Sequence, residues 1–174
     1  ICSILFTLQG FAQHRAIQKA LANSPRAYAL FDNAGKPAAW PNLVEAALEA
    51  DVVLFGEYHD DPIMHWLQAE LIREILAADV HPTLGAEMLE ADDQLVVDEF
   101  LAGWVSKDKL KAAANLWPNH FTDYHPLMEL AKEHELRFIA TNVPRRYASY
   151  VYQHGLESLE ELSAEAKTLL PPLP

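Results

Sequence analysis

The sequence predicts an α/β fold with a central, mainly parallel sheet flanked by helices. Near-continuous apolar runs stand at 51–56 (DVVLFG), 81–88 (HPTLGAEM) and 137–142 (RFIATN). Such runs suit strands covered on both faces. A segment of helical periodicity follows each run, and strands alternating with helices at this spacing imply parallel pairing through right-handed crossovers. At 174 residues and 51% hydrophobic, the chain is long enough for one sizeable core, so 13–174 reads as a single domain.

Residues 27–32 (AYALFD) alternate as a strand does, and Asn33-Ala34-Gly35-Lys36-Pro37 supplies the turn after it. A helix opens at Trp40-Pro41-Asn42 and runs through Ala50, with Leu43, Ala47 and Leu48 on one face. After the run 51–56, Asp61-Pro62 begins the next helix. Asp is a good N-cap, and Pro at the first helical position gives up no needed N–H. The apolar stripe of this helix is Ile63, Trp66, Leu67, Leu71 and Ile75. The run 81–88 reads as a strand ending on Glu87. Helices are predicted at 91–102 and 106–115, the second capped by Ser106. Tyr124-His125-Pro126 opens a helix to about Glu135, and Pro144 begins one that reaches His154, with Gly155 as its C-cap. Residues 156–170 read as a last amphipathic helix before LLPPLP.

Lys plus Arg number 13 against 25 for Asp plus Glu, a formal charge of −12, and no basic run occurs. Nucleic-acid binding needs basic charge to displace counterions from phosphates, so no nucleic-acid partner is expected. The single cysteine, Cys2, leaves no disulfide framework and no Cys-based zinc site within the chain. Residues 1–12 (ICSILFTLQGFA) carry an apolar run with small residues, Gly10 and Ala12, placed for cleavage before Gln13. That pattern reads as a signal-peptide remnant and predicts an exported protein; an ordinary N-terminal strand or helix is the competing account.

Ionisable residues gather at the strand ends. The first run closes on Gly56-Glu57-Tyr58-His59, the second on Glu87, the third on Thr141-Asn142 before Pro144-Arg145-Arg146. A parallel sheet places its strand C-termini on one edge, so Glu57, His59, Glu87 and Asn142 are expected to converge. An imidazole beside two carboxylates can act as a general base or share a cation. A structural account also exists: Glu57 and Asp61 precede a helix N-terminus, whose dipole favours negative charge. His59 and His65 are off the spacing of one helical face, so His65 is not expected to act alongside His59. Neither a His-Glu-x-x-His helix nor a Gly-x-Ser-x-Gly elbow occurs.

The stretch 116–126 (LWPNHFTDYHP) crowds Trp117, His120, Phe121, Tyr124 and His125 between two helices. Such a cluster either covers a sheet edge or walls a flat hydrophobic ligand, with Tyr or His available as axial ligand to a haem iron.

Assembled, these residues resemble the ChaN-like haem-binding lipoprotein family of exported bacterial proteins. The resemblance rests on GEYHDDPIMHWLQAEL, on GAEM followed by Gln94, on Trp117 with Tyr124-His125-Pro126, and on ATNVPRR, in that order. It implies an α/β fold, ferric haem bound through a tyrosine, and a homodimer around two stacked haems. It also implies haem or iron uptake in the periplasm or at the outer membrane. Carried over, Tyr124 is the metal ligand, at the family's Tyr-x-Pro position, and Tyr58 is the second choice. His59, His125, Asn142, Arg145 and Arg146 complete the cofactor-binding set that the resemblance suggests, the arginines supplying a field that favours phenolate. The family's lipid anchor would fall at Cys2, where Ile1 stands in place of a lipobox's small residue. Family members continue beyond LLPPLP, which implies a chain shortened at its C-terminus. The wider superfamily sharing the Gly-x-x-His strand end resembles erythromycin esterases and the TraB/TIKI metalloproteases. It implies an alternative: a metal-dependent hydrolase with Glu57, His59 and Glu87 as catalytic residues and a divalent metal ion as cofactor. A domain whose polar strand ends are structural and hold no ligand is the third reading.

Overall fold

The structure, a computed structural model, describes residues 27–172, so the signal-peptide expectation for 1–12 lies outside the described residues. The chain divides after Val80 into two compact units.

Among the described residues, the first unit has an antiparallel hairpin of β1 (Leu30–Phe31) and β2 (Pro37–Ala38). Asp32 makes its turn, Oδ1 accepting the N–H groups of Ala34 at 2.9 Å and Lys36 at 2.8 Å. The strand expected over 27–32 is therefore only two residues long. Helix α1 (Trp40–Glu49) packs on α2 (Pro62–Ala77) through Ala47, Leu71 and Ile75, with Trp40, Val44 and Phe55 around them. Val44 thus takes the place expected of Leu48, which is exposed. Asp61 caps α2 as expected, its Oδ1 accepting the N–H groups of Ile63 at 2.9 Å and Met64 at 3.3 Å. His65 and Ala69 join the buried stripe of α2, and Trp66 is exposed instead.

The run 51–56 departs furthest from expectation. Among the described residues it joins no strand ladder, and Leu54 is 92% exposed. A doubly covered strand needs a hydrogen-bonded neighbour and apolar cover on each face. Here Phe55 packs against the α1–α2 core, while Val52, Val53 and Leu54 stay at the surface.

The second unit is built on a parallel pair, β3 (Leu84–Glu90) and β4 (Phe138–Asn142), formed by the second and third apolar runs. Leu84 pairs with Phe138 and Ala86 with Ala140, after which Glu90 pairs with Asn142. Ala86 to Glu90 on one strand thus spans Ala140 to Asn142 on the other. This bulge carries β3 past Glu87, the expected strand end, and sets Glu90 opposite Asn142. The expected central sheet is, among the described residues, this two-stranded parallel ladder within a mixed helix-and-strand fold. The side chain of Gln94 stands in for a further strand beside β4. Its Nε2 donates to the Phe138 carbonyl at 2.9 Å and its Oε1 accepts the Ala140 N–H at 2.7 Å.

A 3-10 turn at Ala91–Asp93 leads into α3 (Gln94–Leu101), followed by α4 (Lys107–Ala113), which Ser106 caps as expected. A π-turn, His120–Tyr124, runs directly into α5 (His125–Glu133), and α6 (Arg145–His154) stops at Gly155, whose φ is +85°. Leu89, Val97, Leu110, Met128 and Ala131 form the fully buried core of this unit. Each of its leucines contributes roughly 1.5–3 kcal/mol by leaving water. The helix expected over 156–170 is instead a 3-10 turn, Leu156–Glu161, and a single helical turn, α7 (Ala164–Lys167). Leu162 is extended between them, and Ser163 starts the chain afresh by accepting the Ala166 N–H at 3.1 Å.

Candidate functional site

The ends of β3 and β4 open onto a cleft of about 410 Å³. Strand C-termini are where open α/β sheets place their ligands. Glu90 comes from β3, Asn142 from β4, Trp117 from the segment before the π-turn, and Arg145, Ser149 and Tyr152 from α6. The last three share a face because they lie at helical spacing.

Glu90 joins these parts. It is buried, its Oε2 accepts the backbone N–H of Arg145 at 2.8 Å, and its Oε1 accepts Asn115 Nδ2 at 2.9 Å. No side chain at Pro144 caps α6, so Glu90 supplies the acceptor for its first turn from the neighbouring strand end. Arg145 Nε stands 4.0 Å from Glu90 Oε1, while the guanidinium as a whole is exposed. Arg146 is engaged differently, pairing with Asp92 and lying 4.6 Å over the Tyr147 ring. Asp93 is buried nearby; burial raises its pKa and Asp92 and Glu90 add to the rise, against the N–H of Asn115 at 3.0 Å.

Glu87 is exposed within the bulge of β3. Tyr124 is 1% exposed, its ring meeting Trp117 edge-on at 5.8 Å. His125 is buried with Nε2 2.9 Å from Glu129 Oε1, and its ring lies 5.6 Å from that of His120. Phe100 and Phe121 pack on the His125 ring, and Lys107 lies 4.7 Å over Phe121. Burial first, then the neighbouring His125 and Lys107, lowers the His120 pKa to about 4. Burial first, then Lys107, also lowers that of His125, against the pull of Glu129. The aromatic stretch is thus largely a packed, uncharged cluster, with Trp117 as the member that reaches the cleft.

In the first unit, Glu57 is the centre of a compact group. Its Oε1 lies 3.2 Å from His59 Nδ1; its Oε2 accepts Gln68 Nε2 at 2.6 Å and lies 3.3 Å from His65 Nε2. His65 and His59 thus share one carboxylate, Glu57. The helical-spacing argument fails because His59 precedes α2 and is not bound by its periodicity. Tyr58, between Glu57 and His59 in sequence, is exposed. No cluster of three or more His, Cys, Asp or Glu side chains suited to a metal ion occurs among the described residues. Glu57, Tyr58 and His59 belong to the first unit; Glu87, Tyr124, His125, Asn142, Arg145 and Arg146 belong to the second.

Sequence reading missed Glu90 and Tyr152. The apolar pair Met88-Leu89 before Glu90 is the available signal for a later strand end, and the spacing from Arg145 is the signal for Tyr152.

A parallel strand pair with a cleft at its C-terminal ends, within a mixed helix-and-strand fold, is compatible with the α/β class. Over residues 43–174 the chain matches the family described as haem-binding uptake, Tiki superfamily, ChaN, and it belongs to that family. No curated protein and no solved structure matches it.

Proposed function

We propose that the protein binds ferric haem in the cleft at the ends of β3 and β4, in the service of haem or iron uptake. The observation that carries this reading is the union of two rings, Trp117 and Tyr152, with the exposed cation of Arg145 in one cleft. Its volume of about 410 Å³ falls within the usual range for cofactor clefts, roughly 300–1,000 Å³. Aromatic rings suit the faces of a macrocycle, and a guanidinium suits a propionate. Bound haem would supply a ferric centre that takes an anionic oxygen as its axial ligand.

Tyr152 is the phenol the cleft favours, because it lines the wall and is 92% exposed. Tyr124, the choice from the family position, is buried with its ring edge-on to Trp117 and does not line the cleft. A phenol titrates near pH 10, and a bound ferric ion would itself supply the positive charge that favours its anion. Membership of a haem-uptake family supports an exported protein; a periplasmic or outer-membrane homodimer is part of the same proposal. Among the described residues, no helix is long and apolar enough to cross a membrane.

Hemin titration followed by absorbance tests this reading on the wild type and on Tyr152→Phe, Tyr124→Phe and Tyr58→Phe. A ferric phenolate spectrum that Tyr152→Phe abolishes and the other two retain is expected. Loss in Tyr124→Phe alone moves the ligand to the buried Tyr124, and three unaffected variants refute ligation by these tyrosines.

The Glu57 group favours a second reading, a hydrolase. A carboxylate between two imidazoles can hold one of them as a general base. That reading predicts ester or peptide hydrolysis that is lost in Glu57→Gln.

A further inference from the structure

We infer that Glu90 is a positioning residue that makes the cleft selective for a macrocycle bearing free carboxylates, by holding Arg145 at its wall. The inference rests on the haem reading and names what that site distinguishes.

Glu90 is buried and both its oxygens are engaged, one by the Arg145 N–H and one by Asn115 Nδ2. Asn115 lies two residues before Trp117, so a single carboxylate ties the Trp117 segment and the α6 segment to the end of β3. The same carboxylate faces Arg145 Nε at 4.0 Å. An exposed arginine loses rotamer freedom when it clamps a ligand, and a fixed anion beside Nε reduces that loss by orienting the fork beforehand. The terminal nitrogens are the pair that meets a carboxylate in bidentate fashion. Arg146 is held by Asp92, which leaves Arg145 as the cleft's guanidinium.

The test compares hemin with hemin dimethyl ester, two probes that differ in the free carboxylates. Affinities are measured for the wild type, Glu90→Gln and Arg145→Ala, with far-UV circular dichroism and the Soret spectrum as controls. Gln keeps an acceptor for the Arg145 N–H but lacks the charge facing Nε. The wild type should prefer hemin by about tenfold, the worth of one charge-assisted bidentate contact. Both variants should lower that preference to roughly twofold, while the Soret spectrum of bound hemin is kept. A folded Glu90→Gln variant with the wild-type preference, or with both affinities lowered equally, overturns the positioning role. If Glu90→Gln does not fold, the exposed Arg145→Ala decides, and a preference surviving there overturns the inference. Wild-type protein that binds both probes equally overturns the inference alone. Wild-type protein that binds neither overturns the haem reading with it.

Discussion

The carboxylate of Glu90 accepts the backbone N–H of Arg145 at 2.8 Å and thereby ties the end of β3 to the first turn of α6. Removing that acceptor leaves a helix N–H and the Asn115 amide short of a partner. Glu90→Ala should therefore cost about 1–3 kcal/mol in urea unfolding, the usual penalty for a buried donor left unpaired. Arg146→Ala, which breaks the exposed pair with Asp92, should cost less than about 1 kcal/mol. Equal losses would show that the Glu90 contact is no more than a surface pair.

Gln94 gives β4 a substitute strand through Phe138 and Ala140. Gln94→Ala should speed amide exchange at Ala140 before other core amides change. Gln94→Glu should protect Ala140 partly, because a carboxylate can accept its N–H but cannot donate to the Phe138 carbonyl. Unchanged exchange at Ala140 in Gln94→Ala would remove the strand-substitute role.

The run 51–56 supplies a direct contrast between apolar sequence and buried structure. Leu54, at the surface, should tolerate Leu54→Ser within about 0.5 kcal/mol. Leu89, fully buried in the second unit, should lose about 2–5 kcal/mol on Leu89→Ala. A comparable loss at both positions would mean that the run 51–56 is a covered strand.

His120 makes stability depend on pH. Its ordinary pKa is about 6.5, and in the folded chain burial and its neighbours bring it to about 4. Between those values the unfolded chain binds a proton that the folded chain does not, so stability falls as pH drops from 6.5 towards 4. Below pH 4 this contribution is constant. His125, lowered in the same direction, adds to the fall. His120→Phe removes one titrating ring and retains an aromatic group, so its urea midpoint should fall less than the wild type's between pH 7 and pH 5. Parallel pH profiles would contradict the assignment.

What the sequence made legible is what depends on near neighbours. Asp61, Ser106 and Gly155 mark helix ends because a cap acts within a few residues of itself. The apolar runs of β3 and β4 pointed to the parallel pair that forms, although burial alternates along much of each strand and Gly85, Glu87 and Thr141 are exposed. The bulge that moves the strand end from Glu87 to Glu90 depends on the partner strand, and no local pattern records it. Gln94 reaches β4 across more than forty positions, again beyond any local signal. At the candidate sites, Glu57 and His59 were legible as neighbours in one turn. His65 was set aside by a helical rule that does not extend to residues before Pro62. Exposed Tyr152 carries no burial pattern, and only α6 brings it to the face of Arg145.

The location of haem is tested most directly by filling the cleft without removing any of its polar groups. Ala148 is exposed and lines the cleft on α6, so Ala148→Trp adds bulk there at little cost to folding. Hemin titration by absorbance should show loss of most of the wild-type affinity in Ala148→Trp, with the circular dichroism spectrum unchanged. Hemin bound by Ala148→Trp with wild-type affinity and the wild-type Soret spectrum would contradict the placement of haem at the ends of β3 and β4.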